Sequence, residues 1–272
     1  KLKLFLAGAR PGIKATVRLF YGDIKISEKA LYLQNEPYPS AKTEISFELP
    51  LADRRCSPWG VHYWSPKNPN LYDLEFELSE DEEILDQVKS YYGHRKIEFD
   101  QGIFRLNGHP YFMKLILNQG YWEDSLLTCP NDEAIKHDIQ YLKDAGFNGM
   151  RIHQKVEDER FIHFCDTMGL LVWSEMAANY VFDPESASHF VTEWMSIVQQ
   201  YKNFPSIVAW TPFNESWGVP KVYWREAEQA LTLAVYEMTH ALDGTRPVIS
   251  NDGWEHTISD ILTLHDYEED AD

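Results

Sequence analysis

Three cysteines, Cys56, Cys129 and Cys165, are all that 272 residues provide. An odd and scattered set offers neither a disulfide framework nor the paired spacing of a thiolate metal site, so buried free thiols are expected. No apolar run reaches the ~20 residues that span a bilayer. The opening Lys1-Leu-Lys-Leu-Phe-Leu6 alternates like a strand and lacks the body of a signal peptide. Positive charge is scarce: 25 Lys and Arg stand against 43 Asp and Glu, a formal net charge of −18. Such a surface repels polyanions, which excludes nucleic acid and anionic membranes as partners and favours a neutral ligand. The chain does not begin with Met, and a piece of a longer polypeptide is expected.

Apolar residues make up 44% and aromatics 14%, ample for a packed core. Nine Trp and fifteen Tyr would suit stacking on sugar faces, although burial accounts for most aromatics in any globular chain. Leu2, Leu4 and Leu6 alternate with polar neighbours, as do Ile45, Phe47 and Leu49, and Leu74, Phe76 and Leu78. This period marks half-buried antiparallel strands. With Ala15 to Phe20 and Asp23 to Leu33, these predict an immunoglobulin-like β-sandwich over residues 1–97. The acidic run Ser79 to Asp86 reads as a solvated turn or edge.

The texture changes from Gly102. Asn107-Gly108 between two short apolar runs is a two-residue hairpin signal. Thereafter short apolar strands alternate with amphipathic helices, the pattern of βα units. Strands are expected at Phe112 to Leu117, Gly149 to His153, Leu170 to Glu175, Ile207 to Phe213, Pro247 to Asn251 and Ile261 to His265. Helix ends are marked by Pro130-Asn-Asp-Glu133 and Gly146, by Gly169, and by Pro220 and Asp243-Gly244; a further helix carries Phe190, Trp194, Ile197 and Tyr201. Six strands predict residues 98–272 to be a (β/α)8 barrel lacking its last two units, with open edges prone to self-association.

Chemistry in such barrels sits at the C-terminal strand ends. Those ends hold Asn118 and Gln119; Arg151 and His153; Trp173 and Glu175; Asn214 and Glu215; Asn251, Asp252 and Trp254; His265 and Asp266. Each also has a structural reading: Arg151 can be a cation for Glu175, and His265 a satisfied core histidine. Glu215 stands apart. Pro212 fixes the backbone before it, Asn214 offers an amide to a sugar hydroxyl, and Trp210 and Trp217 are expected as apolar walls that raise the carboxyl pKa, as a general acid requires.

Five stretches then carry a resemblance. Trp64-Ser-Pro-Lys-Asn-Pro-Asn-Leu-Tyr72, Leu106-Asn-Gly-His-Pro110, Gly146-Phe-Asn-Gly-Met-Arg151, Asp166-Thr-Met-Gly-Leu-Leu-Val-Trp-Ser-Glu175 and Phe213-Asn-Glu-Ser-Trp217 run in the order found in glycoside hydrolase family 2, the group of β-galactosidase, β-glucuronidase and β-mannosidase. Asn118-Gln-Gly-Tyr-Trp122 looks like the β-galactosidase branch, while His153 stands one residue earlier than the histidine of members with Arg-x-Ser-His. The resemblance implies a retaining β-glycosidase with Glu215 as general acid/base and Asn214 on the substrate 2-hydroxyl. Arg151 matches the arginine that orients the catalytic carboxylates. Trp173, Glu175, Trp217, Asn251 and His265 complete the expected substrate-binding set, for a β-galactoside or related β-glycoside. No metal and no cofactor are expected. The family nucleophile comes from the seventh strand, so it is expected beyond Asp272 and the chain by itself is expected to be inactive or nearly so. Two other readings stay open: a non-catalytic carbohydrate-binding or interaction module, and a barrel metallohydrolase using His153 and His265.

Overall fold

A computed structural model describes residues 1–34, 42–53 and 60–269. Cys56 lies outside the described residues, and Cys129 and Cys165 are free and buried. The chain divides into two compact units, one of residues 1–64 and 70–94, the other of residues 65–69 and 95–272.

In the first unit, β1 (Leu2–Ala7) pairs antiparallel with β4 (Lys42–Phe47). A second sheet runs in the order β3-β2-β5-β6, built from β2 (Lys14–Tyr21), β3 (Ile24–Tyr32), β5 (Tyr72–Glu80) and β6 (Glu83–Tyr92). Alternation does the sorting: Ala15, Val17 and Leu19 of β2 bury on one face with Leu74, and Leu2, Leu4 and Leu6 of β1 pack against the same core. Two sheets sharing one apolar layer form a sandwich. Strand β6 was not apparent from the sequence pattern. Its side chains are exposed on both faces, Ile84 and Val88 included, so its residues never alternate by burial; it is an edge held by backbone pairing to β5. The acidic stretch is the turn between the two.

The second unit opens with β7 (Ile97–Asp100), β8 (Ile103–Leu106) and β9 (His109–Pro110), an antiparallel trio. Asn107 and Gly108 both take positive φ, +55° and +81°, as a tight primed turn requires. Four parallel strands follow in sheet order, β10 (Leu115–Asn118), β11 (Gly149–Ile152), β12 (Leu171–Glu175) and β13 (Ile207–Thr211), and β14 (Phe213–Asn214) pairs with β15 (Asn251–Asp252). Helices α1 (Asp132–Asp144), α2 (Glu159–Met168), α3 (Pro184–Tyr201) and α4 (Glu226–Leu242) alternate with them. This is the βα order of a TIM-type barrel, and the sheet is open, with β10 at its edge. None of the described helices is long and apolar enough to cross a membrane.

Strands β12 and β13 are buried along their whole length, as central parallel strands covered on both faces must be. One face meets the helices through Ile139, Phe161, Cys165, Trp194 and Val235. The other packs Trp173, Ala209 and Ile249 with Leu115 and Ile261. Helix α4 starts later than Pro220 suggests, because residues 219–224 form tight turns and Lys221 N donates to the buried Glu228 carboxylate. The sixth expected strand, Ile261 to His265, runs extended but makes no ladder. Its residues reach back mainly through His265 N, which donates to Gly253 O at 3.3 Å, and Thr263 Oγ1, which accepts from Gly253 N at 2.8 Å, while Leu262 and Leu264 face outward.

Gly169 ends α2 with φ +77°, and an added Cβ would stand 2.4 Å from the Pro66 carbonyl oxygen. Gly146 has φ +88° and open space around it. Gly169→Ala is therefore expected to cost about 3 kcal/mol and Gly146→Ala about 1 kcal/mol, read from urea unfolding midpoints. Equal losses would mean that Pro66 yields freely.

Candidate active site

The site is built on the backbone immediately after β14. Glu215 and Ser216 both sit in the left-handed region, φ +49° and +59°, which side chains disfavour. The turn closes through Trp217 N to Asn214 O, 2.9 Å, and Val219 N to Ser216 O, 3.0 Å. The loop after β15 holds it there. Glu215 N donates to Asp252 O at 2.9 Å and Ser216 N to Asn251 Oδ1 at 2.9 Å. The Asn251 amide donates in turn to Ser216 Oγ, 3.0 Å, and Glu255 O, 2.7 Å, while Ser216 Oγ donates to Glu255 Oε2 at 3.0 Å. Asn251 is buried, and its amide is divided between this turn, through Ser216, and the Glu255 carbonyl.

The Glu215 carboxylate accepts from the Tyr267 hydroxyl, and its Oε1 lies 2.6 Å from His265 Nδ1. His265 Nε2 lies 3.3 Å from Asp252 Oδ2, which places the imidazole between two carboxylates. Gly253 makes room for the ring: at φ +87°, a Cβ there would fall 2.3 Å from it. Burial pushes the Glu215 carboxyl up, but the donors Tyr267, His265 and Trp254 outweigh it and leave the pKa below its ordinary value. This corrects the expectation of a carboxyl raised by tryptophan walls. Trp210 is fully buried on the helix side of the sheet, where its indole donates to Asp243 Oδ2 at 2.9 Å and meets Trp194 edge to face. Trp217 is 46% exposed at the rim.

Arg151, on β11, ties the neighbouring strands together. Its guanidinium lies 2.7 Å from Glu175 Oε2 and 2.7 Å from Asp252 Oδ2, and donates to Asn214 Oδ1 at 2.5 Å. Glu175, at the end of β12, has no exposed surface, and its Oε1 accepts from Gln154 N at 2.7 Å. One cation cannot neutralise two buried carboxylates. Burial, with the Asp252 charge adding to it, pushes Glu175 up to about 7 against the pull of Arg151 and the Gln154 N–H. His153 Nε2 lies 3.4 Å from the Asn214 amide nitrogen, and burial, then Arg151, hold its pKa low.

Arg151, Glu175, Asn214, Glu215, Asn251 and His265 thus form one connected network. Trp173 lies apart from it, 9% exposed in the interior layer with its indole on Thr211 Oγ1. Asp252 and Trp254, which the sequence places at a strand end but not in the expected substrate-binding set, belong to the site, as do Tyr267 and Gly253. The spacing His265-x-Tyr267 on an extended chain carries the signal for the tyrosine, since alternate residues share a face. Among the described residues no three His, Cys, Asp or Glu side chains are arranged to hold a metal ion.

Comparison with known proteins gives a consistent result. The family model "Glycosyl hydrolases family 2, TIM barrel domain" matches residues 97–271, and "Glycosyl hydrolases family 2" matches residues 21–95. A β-galactosidase of Oenococcus oeni is 26% identical over 92% of this chain and 24% of its own length. A β-glucuronidase of Streptococcus agalactiae is 30% identical over 60% of this chain and 30% of its own. The solved structure of Bacteroides uniformis β-glucuronidase 3 superposes with a TM-score of 0.74 at 20% identity, covering 91% of this chain and 30% of that one. The chain spans between 19% and 30% of the length of the curated relatives it matches.

Glu175 holds its proton more tightly folded than unfolded. Its contribution to stability is full below about pH 4.5 and is lost as pH rises through about 7, a change of about 3 kcal/mol at most. Over that window the unfolding free energy of Glu175→Gln, which cannot titrate, is expected to fall less steeply than that of the wild type. Parallel curves would mean that Glu175 is ionised throughout.

Proposed function

The chain belongs to glycosyl hydrolase family 2, and from that premise we propose that it carries the acid/base half of a retaining β-glycosidase, with Glu215 as the group that protonates the glycosidic oxygen. The observation that carries the reading is the anchored turn at the end of β14. A carboxylate on consecutive left-handed residues, fixed by Asp252 O and the Asn251 amide, is aimed by the backbone rather than by its own rotamers. Asn214, which precedes it, has its oxygen on Arg151 and keeps its NH2 group toward His153 and the site, suited to a sugar hydroxyl acceptor.

Retaining hydrolysis uses two carboxyl groups about 5–5.5 Å apart: one protonates the leaving oxygen while the other attacks the anomeric carbon, and water, deprotonated by the first, then hydrolyses the glycosyl-enzyme to free the sugar and the nucleophile. Glu175 and Asp252 are both engaged by Arg151. Neither matches the family's nucleophile, and the resemblance to the family implies that a further carboxylate, from the seventh barrel strand, fills that role. Such a neighbour would also reset Glu215. Its like charge raises the acid, and it competes for the Tyr267 and His265 donors that now hold Glu215 ionised. Relatives named β-galactosidase and β-glucuronidase support a β-glycoside as substrate. A carbohydrate-binding role without catalysis is the second reading, favoured by the ionised state of Glu215.

The test compares this chain with the parent reading frame carried through the eighth strand, each with and without Glu215→Gln. Nitrophenyl and methyl β-galactosides and β-glucuronides are the substrates. The longer protein is expected to turn over, with Glu215→Gln costing roughly 10²–10⁴-fold in kcat/KM, which reports glycosyl-enzyme formation, on the methyl glycoside and far less on the nitrophenyl one, whose leaving group needs no proton. The shorter chain is expected at background. Robust turnover by the short chain, or equal losses on both leaving groups, would overturn the assignment.

A further inference from the structure

Tyr180 and Trp217 are 67% and 46% exposed, too open for core packing to explain them. They meet edge to face, ring centroids 5.2 Å apart at 77°, one from the loop after β12 and the other two residues beyond Glu215. Their loops are locked at the backbone. Gly218, at φ +87°, approaches so closely that a Cβ would stand 2.4 Å from Asn179 O. Glycine is required for that approach, and it fixes the chain on either side, Tyr180 beyond Asn179 and Trp217 before Gly218. A pre-formed aromatic pair loses little conformational freedom on binding.

The chemistry of the site says what lies beside it. An acid that protonates a glycosidic oxygen must touch that oxygen, so the group leaving with it lies against the residues flanking the carboxyl on the solvent side. We propose that Tyr180 and Trp217 form the platform of a leaving-group subsite, which takes a flat ring with an apolar face, either a second sugar or an aromatic aglycone. The proposal rests on the assignment of Glu215 above and adds a preference for substrates whose leaving group carries a ring.

Calorimetric titration of the chain with methyl β-galactoside, lactose and phenyl β-galactoside tests it, with tryptophan emission followed in parallel. Lactose or phenyl β-galactoside is expected to bind roughly five- to tenfold more tightly than the methyl glycoside and to shift the emission to the blue; which of the two gains more identifies the ring. Tyr180→Ala, at an exposed position that folding does not need, and Trp217→Ala are each expected to bring the affinity ratio close to one. A wild-type ratio of one with methyl β-galactoside still bound, or a gain that survives both substitutions, would overturn the subsite and leave the Glu215 assignment standing. Failure of all three glycosides and of methyl and phenyl β-glucuronide to bind would overturn the subsite, and the Glu215 assignment would stand or fall with the turnover test above.

Discussion

A single guanidinium shared between two buried carboxylates is the constraint on which the site depends. Arg151 reaches Glu175 on the neighbouring β12 and Asp252 on the more distant β15, and also holds the oxygen of Asn214 on β14. Removing a carboxylate would leave the arginine to the other; removing the arginine would strand two buried charges, which is costlier than losing any one hydrogen bond. Burial and the Asp252 charge push the Glu175 carboxyl up to about 7, which lightens the demand on the one arginine. This arrangement lets four strands end at one polar point inside an otherwise apolar layer of Trp173, Ala209 and Ile249.

Around this point the division of labour follows chain order. The second and third strands supply charge, the fourth supplies the carboxyl group, and the fifth supplies the mould in which its backbone is cast. The extended segment that follows adds the donors His265 and Tyr267. Gly253 matters because it gives the imidazole a place to lie, so that one ring can face both Glu215 and Asp252.

Much of the architecture was legible in the sequence because its rules are local. Alternation in β1, β2 and β5 and helix ends such as Asn131 and Gly169 are properties of neighbouring residues. Strand β6 was illegible for a physical reason: exposed on both faces, it carries no burial period and exists only because β5 offers it a ladder. The start of α4 was misread because a tertiary bond, Lys221 N to the buried Glu228, outweighs the helix-start signal of Pro220. The position of Glu215 followed from the strand pattern and its electrostatics did not. A carboxyl pKa is set by whichever donors converge on it, and here they come from residues 254, 265 and 267, distant in sequence. Trp210 was misplaced for a related reason. On a fully buried strand both faces are apolar, so period alone cannot say which looks toward the helices.

The consecutive left-handed residues at Glu215 and Ser216 have a consequence for how such a site can be moved or inherited. Each costs about 1–3 kcal/mol by itself, and the compensation comes from Asn251, Asp252 and Glu255 rather than from the turn's own sequence. A loop transplanted with Phe213-Asn-Glu-Ser-Trp217 alone would relax and turn its carboxyl elsewhere. The smallest portable unit is the pair of adjacent strands with both their loops, so variation in one of those loops is answerable to the other.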